Sequence, residues 1–406
     1  MTETDAQANG AGPSYVPIYA VMFGCMAAMM GFVAQAGSLA QIFELAPWQI
    51  GLTVTMSGLV WVLTSTFWGQ YSDRVGRKPV IVAGAALFLG AYLLLVFAVF
   101  VSFWAAATGT IVLLALMVTR GAIGLGFAAM LTASNSFIAD TTPPAERAGE
   151  MGRLGAFQAM GMIAGPALVA LLAWTGVMTT LLLLAVLPVI TIVLLAMGLR
   201  ETRAVDTTRR PPLSVFDPRL RVLCLMGAGA LFCVGLAQVT VSFVVLDRFG
   251  MGAEQGAQYA GLALTMVGLA MIPSQLSVKW TGLRPLVLIA IGAMVGGLGL
   301  VLAAVAAQVW VLIAGYGALG FGMAWVFSGV AAQAANSVSA DEQGRAAGAV
   351  SASQGVGVMV GPLAGTLIYP LGTSAPYLVA CAILSVIILL AWTTVARTAG
   401  LGARTS

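Results

Sequence analysis

Gly69-Gln-Tyr-Ser-Asp73-Arg74-Val-Gly76-Arg77-Lys78-Pro79 joins two apolar runs, 50–69 and 79–101, each long enough to cross a bilayer. Gly76 permits a tight turn and Pro79 suits the start of a helix, so the spacing predicts a short loop between two spans. Asp73 among three cations makes a charge network at one membrane face. A simple basic anchor would account for Arg74, Arg77 and Lys78 but not for Asp73, Gly69 or Gly76.

Outward from this loop the pattern repeats. Apolar runs at 15–37, 107–139, 152–173, 178–199, 220–246, 256–278, 285–307, 309–336, 346–368 and 375–396 bring the total to twelve. Of 406 residues 60% are hydrophobic, close to what twelve helices of ~20 residues require. Only 8% are charged, against roughly 25% in soluble domains, which excludes a soluble enzyme. Cys25, Cys224, Cys233 and Cys381 all lie inside apolar runs and read as small buried hydrophobes. With no His and no Gly-rich loop ending in Lys-Ser/Thr, neither a metal site nor ATP hydrolysis is expected, and no cofactor is implied.

The cations sort by gap. Arg74, Arg77, Lys78, Arg147, Arg200, Arg203, Arg209, Arg210, Arg219, Lys279, Arg284 and Arg345 fall in even-numbered gaps, and only Arg248 falls in an odd one. Basic residues stay on the cytoplasmic side, so both termini are expected in the cytoplasm, in an inner membrane, with a retained first helix. This placement also argues against a nucleic-acid partner.

The hydrophilic stretch 200–219, with Pro211, Pro212 and Pro218, divides the chain into an expected N-terminal bundle (1–199), a cytoplasmic linker (200–219) and a C-terminal bundle (220–406). The halves repeat. QAMGMIAGP from Gln158 and QGVGVMVGP from Gln354 differ by 196 residues, an offset that also pairs Gly124 with Gly320 and Gly126 with Gly322. Gly24 and Gln35 match Gly227 and Gln238 at an offset of 203. Internal repeats of this kind build transporters from two opposable bundles.

At this point the sequence resembles the major facilitator superfamily, whose signature between helices two and three has the pattern Gly69, Asp73-Arg74, Gly76-Arg77-Lys78 and Pro79. Two further stretches resemble its twelve-helix drug/proton antiporter branch. One is Leu116–Ala129, with Arg120 ahead of Gly124 and Gly126, although Ile123 stands where the branch often has Gln. The other is Gly161, Gly165 and Pro166, with Val169 and Ala170 where glycines are frequent. The resemblance implies an all-α fold of two pseudo-symmetric six-helix bundles, a small-molecule substrate, protons as coupling ion, the lipid bilayer as surroundings and a single chain as working unit. It also implies that Asp73 docks at the start of helix eleven, that Arg120 takes part in proton transfer, and that helices one, four, seven and ten line the cavity.

Candidate residues follow. Arg120 is the one cation deep within a span, where an ionised group costs a few kcal/mol unless it faces a partner or the bundle interior. A structural role, bonded to backbone or to Gln and Ser on neighbouring helices, is the alternative. No acid lies mid-span, Asp140 and Asp247 coming nearest, so the cavity reads as neutral to positive. Met22, Met26, Met29 and Met30 share a helical face that would adapt to varied ligands or simply pack. Gln35, Gln238, Gln158 and Gln354 are amides in hydrocarbon, and Phe32, Phe321 and Trp325 would stack a planar ligand or fill the bundle. Gly161-xxx-Gly165 and Gly357-xxx-Gly361 are equally explained by close helix packing.

The expected function is export of small neutral or anionic amphiphiles, with a self-made metabolite such as a siderophore as one variant. An uptake carrier or facilitator of the same fold is the alternative, and a non-transporting receptor would need a larger soluble loop than any present.

Overall fold

The computed structural model describes residues 15–107, 109–143, 146–198, 213–339 and 342–402, so most of the expected linker 200–219 lies outside the described residues. Twelve long helices cross the molecule, and no strand occurs among the described residues. They are α1 (Val16–Ala34), α2 (Pro47–Val75), α3 (Arg77–Trp104), α4 (Thr110–Thr141), α5 (Arg147–Leu172), α6 (Val177–Gly198), α7 (Arg221–Phe249), α8 (Ala253–Thr281), α9 (Pro285–Val305), α10 (Val309–Asn336), α11 (Gln343–Ile368) and α12 (Ala375–Gly402). In a bilayer every backbone N–H and C=O must be paired internally, which selects helices wherever a run of apolar residues spans the hydrocarbon.

The boundaries correct the sequence reading in two places. The first span, expected as one run over 15–37, breaks at Gln35, and a short helix, Ala36–Ile42, continues it. The stretch 69–79, expected as a loop, is helical except at Gly76. There φ is +100°, a conformation that side-chain-bearing residues resist, and α3 begins at Arg77 rather than at Pro79. The helices outrun the apolar runs because their polar last turns project past the hydrocarbon, where water and ions satisfy them.

Each half is one bundle with the same internal contacts. α1 packs on α5 and α6, α2 on α4, and α3 on α4 and α6. In the second half α7 packs on α11 and α12, α8 on α10, and α9 on α10 and α12. The bundles meet along two equivalent seams, α5 against α8 and α2 against α11. Trp48, Trp104, Trp174 and Trp310 are exposed at one end of the molecule and Trp280 at the other, the positions of interfacial aromatic belts.

The seams are closed at the end away from the Gly76 turn. A side chain added at Gly51 would collide with Thr366 of α11, and one at Gly261 would lie 2.6 Å from the Pro166 carbonyl oxygen of α5. Beside them the Gly37 N–H donates to Ser242 Oγ at 2.9 Å, Ser38 Oγ to the Ala253 carbonyl at 2.6 Å, and Thr55 Oγ1 to the Met359 carbonyl at 2.9 Å. Toward the Gly76 end, side chains added at Gly152 and Gly155 of α5, or at Gly348 and Gly355 of α11, would meet nothing. The crevice between the bundles therefore opens toward the basic face.

Candidate functional site

The quoted stretch 69–79 builds a charge network around Arg77. Its guanidinium pairs with Asp73 one turn back, donates to Ser72 Oγ at 2.7 Å and to Asp140 of α4 at 2.9 Å, and is 3% exposed. The Asp140 side chain is equally buried, whereas that of Asp73 is half exposed. The sequence marked Asp140 as an acid near the inner end of its span but not as a member of this network. Only the three-dimensional return of α4 to the α2–α3 turn reveals it. Gly69, Arg74, Lys78 and Pro79 flank this network.

Arg120 lies in the interior of the N-terminal bundle, 1% exposed. A side chain added at Gly124 would collide with the Ser57 carbonyl, so α2 and α4 touch backbone to backbone here. That approach sets Ser57 beside the guanidinium. Ser57 Oγ gives its proton to the Val54 carbonyl at 2.8 Å and accepts from Arg120 Nη2 at 3.0 Å. From α1 the Phe32 ring lies under the guanidinium, 4.5 Å from centroid to Cζ. The Nε and Nη1 groups have no partner, and neither do the buried Tyr92 hydroxyl and Gln35 Oε1. An ion pair for Arg120 is absent among the described residues, at a depth where its charge costs about 2.5–3.5 kcal/mol. Phe32, offered as a surface for a planar ligand, is instead fully buried beneath this cation.

Gly161, Gly165 and Pro166 serve two contacts at once. Side chains at Gly161 and Gly165 would strike the α1 carbonyls of Phe23 and Ala27, while Pro166 on another face meets Gly261 of the opposite bundle. The repeat does the same: Gly357 and Gly361 press on α7 at Ala228 and Phe232, and Pro362 meets Gly51. Gln158 reaches Met22 Sδ of α1 at 3.8 Å, and Gln354 packs over Gly227 of α7.

A cavity of about 170 Å³ occupies the seam between α5 and α8 and reaches α7 and α10. Gln238 lines it, together with Met162, Met271, Met323, Phe327 and Gln275. The other cavity candidates do not. Met26 and Met30 are half-buried on α1, Gln35 closes the end of that helix, and Trp325 lies tilted against Phe321 while its indole N–H is committed to the Ser274 carbonyl and Ser277 Oγ of α8. Gln275 was missed by the sequence reading. Its only signal was an amide following Pro273 in an otherwise apolar run. The wall can bury apolar rings against thioethers and offer amide donors and acceptors, with no formal charge.

Two equivalent bundles, closed at one end and enclosing an apolar, amide-bearing cavity, define a membrane transporter. The sequence model of the Major Facilitator Superfamily matches residues 18–316 and 281–404, and the chain belongs to that superfamily. Among curated relatives it is 30% identical over 338 residues to a tetracycline resistance protein, class G, of Vibrio anguillarum, covering 79% of this chain and 80% of that one. A tetracycline resistance protein, class B, of Escherichia coli is 27% identical over 57% of each chain. Among solved structures, a bacterial homologue of the iron transporter ferroportin shares the fold at a TM-score of 0.70 and 15% identity, over 94% of this chain and 99% of that one. A bacterial homologue of the lysosomal transporter Spinster does so at 0.68 and 14%, over 93% and 94%.

Proposed function

We propose that the protein is a proton-coupled exporter of small amphiphilic compounds, neutral or anionic, working as a single chain in the cytoplasmic membrane. The observation that carries the substrate class is Arg120: a buried guanidinium with two unpartnered N–H groups and, among the described residues, no carboxylate at its depth makes the interior unfavourable to cations. The amide-lined cavity at the α5–α8 seam adds a binding surface with no fixed charge. The tetracycline resistance relatives support export of a drug-like compound.

In this reading the basic face is cytoplasmic, both termini lie there, and the crevice open toward it is the loading state. The two bundles, joined by the linker 200–219, rock about the seams at Gly51 and Gly261. Asp73, half exposed here, reaches the start of α11 when that face closes, since helix N-termini accept carboxylates. The test is tetracycline accumulation in everted membrane vesicles energised with a proton gradient. Uptake that collapses with nigericin and is lost in Arg120→Ala supports the proposal. Transport of ethidium with an affinity unchanged by Arg120→Ala would overturn the substrate class, and uptake insensitive to nigericin would overturn the coupling.

A further inference from the structure

The geometry points to a side entrance: the cavity between α5 and α8 opens into the bilayer, and substrate loads through it from the leaflet on the basic-face side. This deepens the exporter reading and rests on it for the word substrate, but the opening itself is a property of the fold.

The argument follows the circumference of α8, where successive residues turn by roughly 100°. Ser274 marks the side facing α10, because its hydroxyl donates to the Phe321 carbonyl at 2.6 Å and its carbonyl accepts from the Trp325 indole. Gly261 and Gly268 mark the side facing α5, against Pro166 and Ile163. Met271 and Gln275 project between these two directions, toward the molecular interior. Ile272 projects past the α5 contact on its far side, next to Leu269 and Leu276, which are exposed to the extent expected of lipid-facing residues. The cavity is lined by Met271 and Gln275 and also by Ile272. It therefore runs across the line of α5–α8 contact, from the interior wall to the outer surface. Its rim is exposed from both helices, with Met162 of α5 at 40% and Ile272 at 51%.

The seam permits this because the tight contact stops there. Of the glycines on the two helices, Gly268, against Ile163, is the one nearest the basic face that meets the other helix, and beyond it Gly155 and Gly152 meet nothing. The rim residues Met162, Met271 and Ile272 are apolar, and the cavity also presents two amides, half-buried Gln238 and exposed Gln275. No side-chain hydrogen bond to either amide is seen among the described residues, so both are free to receive a ligand. Such a passage suits a compound that partitions into hydrocarbon and carries at least one donor and one acceptor. It excludes strongly hydrated ions, which would have to shed water at an apolar rim.

The opening is tested without any transport assay. In protein carrying Cys381→Ser, with the remaining three cysteines buried, Gln275→Cys is labelled with bimane and reconstituted into phosphatidylcholine vesicles with or without brominated acyl chains. Emission should be strongly quenched by the brominated lipid, as should that of Ile272→Cys at the rim. Quenching of Ile272→Cys alone, with Gln275→Cys reached only by aqueous iodide, overturns the proposal. Loading is tested with Leu276→Trp, which crowds the mouth from its lipid side, outside the cavity lining, and leaves the amides in place. Tetracycline binding in detergent, where no bilayer governs access, should be unchanged, while uptake into proteoliposomes falls several-fold. Equal uptake by parent and variant overturns lateral loading. If the parent itself neither binds nor moves tetracycline, the exporter reading fails for that drug, and the bimane result still decides the entrance.

Discussion

Arg120 and Tyr316 occupy equivalent positions in the two bundles, 196 residues apart, and their surroundings share a packing plan but not a chemistry. In both halves the helix carrying them crosses a neighbour backbone to backbone one turn further on, Gly124 over the Ser57 carbonyl and Gly320 over the Val267 carbonyl. Gly126 and Gly322 repeat the device against α3 and α9. Yet Tyr316 is fully satisfied: its hydroxyl donates to the Ala237 carbonyl at 2.7 Å and lies 3.1 Å from the Tyr377 hydroxyl, ring edge to ring face. Arg120 has one hydrogen bond, a ring beneath it and two idle donors. The repeat thus conserves backbone contact while one half carries an unsatisfied charge. A fold under selection for stability alone would have settled both halves as it settled Tyr316, and the role proposed for Arg120 rests on this difference.

The sharpest way to break this comparison is to exchange the costs. Arg120→Met removes a buried, unpaired charge and keeps the volume, so the thermal midpoint should hold or rise, by about 2 °C for each kcal/mol recovered, while vesicle transport falls to background. Tyr316→Phe should do the opposite: transport continues, and stability drops by about 1 kcal/mol for the lost hydrogen bond. Thermal unfolding and flux measured on both variants decide the matter. A destabilised Arg120→Met protein would make Arg120 a structural residue like its counterpart.

The basic turns differ in the same direction. Arg77 ties the α2–α3 turn to buried Asp140, whereas at the matching turn of the second half Lys279 and Leu283 replace Asp73 and Arg77, while the glycine, Gly282 at φ +59°, and the proline, Pro285, persist. Arg77→Ala leaves Asp140 buried without its cation and should cost about 3 kcal/mol, and Lys279→Ala next to nothing. Chemical or thermal denaturation of the two variants in one detergent compares them directly.

Gly124→Val and Gly320→Val should by contrast behave alike, each costing about 1–3 kcal/mol by overpacking a helix crossing. Unequal losses would mean that the crossings are equivalent in geometry only.

Much of this was legible in the sequence, because apolar runs, basic gaps and repeat offsets are one-dimensional consequences of a bilayer and a duplication. The offset of 196 paired Gly124 with Gly320 before any contact was visible. What the sequence concealed depends on helices crossing. Ser57 is one of many hydroxyls until Gly124 brings α2 against α4, and Gln275 is one amide in an apolar run until α8 sets it on the same cavity as Gln238. Trp325 offered a stacking surface in sequence, but its N–H finds α8 before it can find a ligand. Helix ends were misjudged for a different reason. Hydropathy reports where hydrocarbon stops, and α2 continues for a further polar turn and a half to Val75.

The smallest expected effect lies at the basic face of the second half, where Arg219, preceding α7, bonds Asp217 at 3.0 Å and Glu342 at the start of α11 at 2.8 Å. Hydrogen bonds from the Arg219 guanidinium, and then from the Ser339 hydroxyl, hold the Glu342 carboxyl down at about 2, and Arg219 likewise lowers Asp217. An unfolded glutamate titrates near 4.3. A depressed carboxylate contributes its stability in full above the unfolded value and loses it as pH falls toward the folded one, so this clasp should be indifferent to pH from 8 to about 5 and weaken only below about 4. Arg219 is exposed and the two carboxylates partly so, and solvent screens the cluster. Glu342→Gln should therefore leave the thermal midpoint within error of the parent at pH 7, with whatever small gap exists closing as the pH approaches 2. A gap that widened on acidification would mean that the clasp opposes folding rather than fastening α11 to the chain before α7.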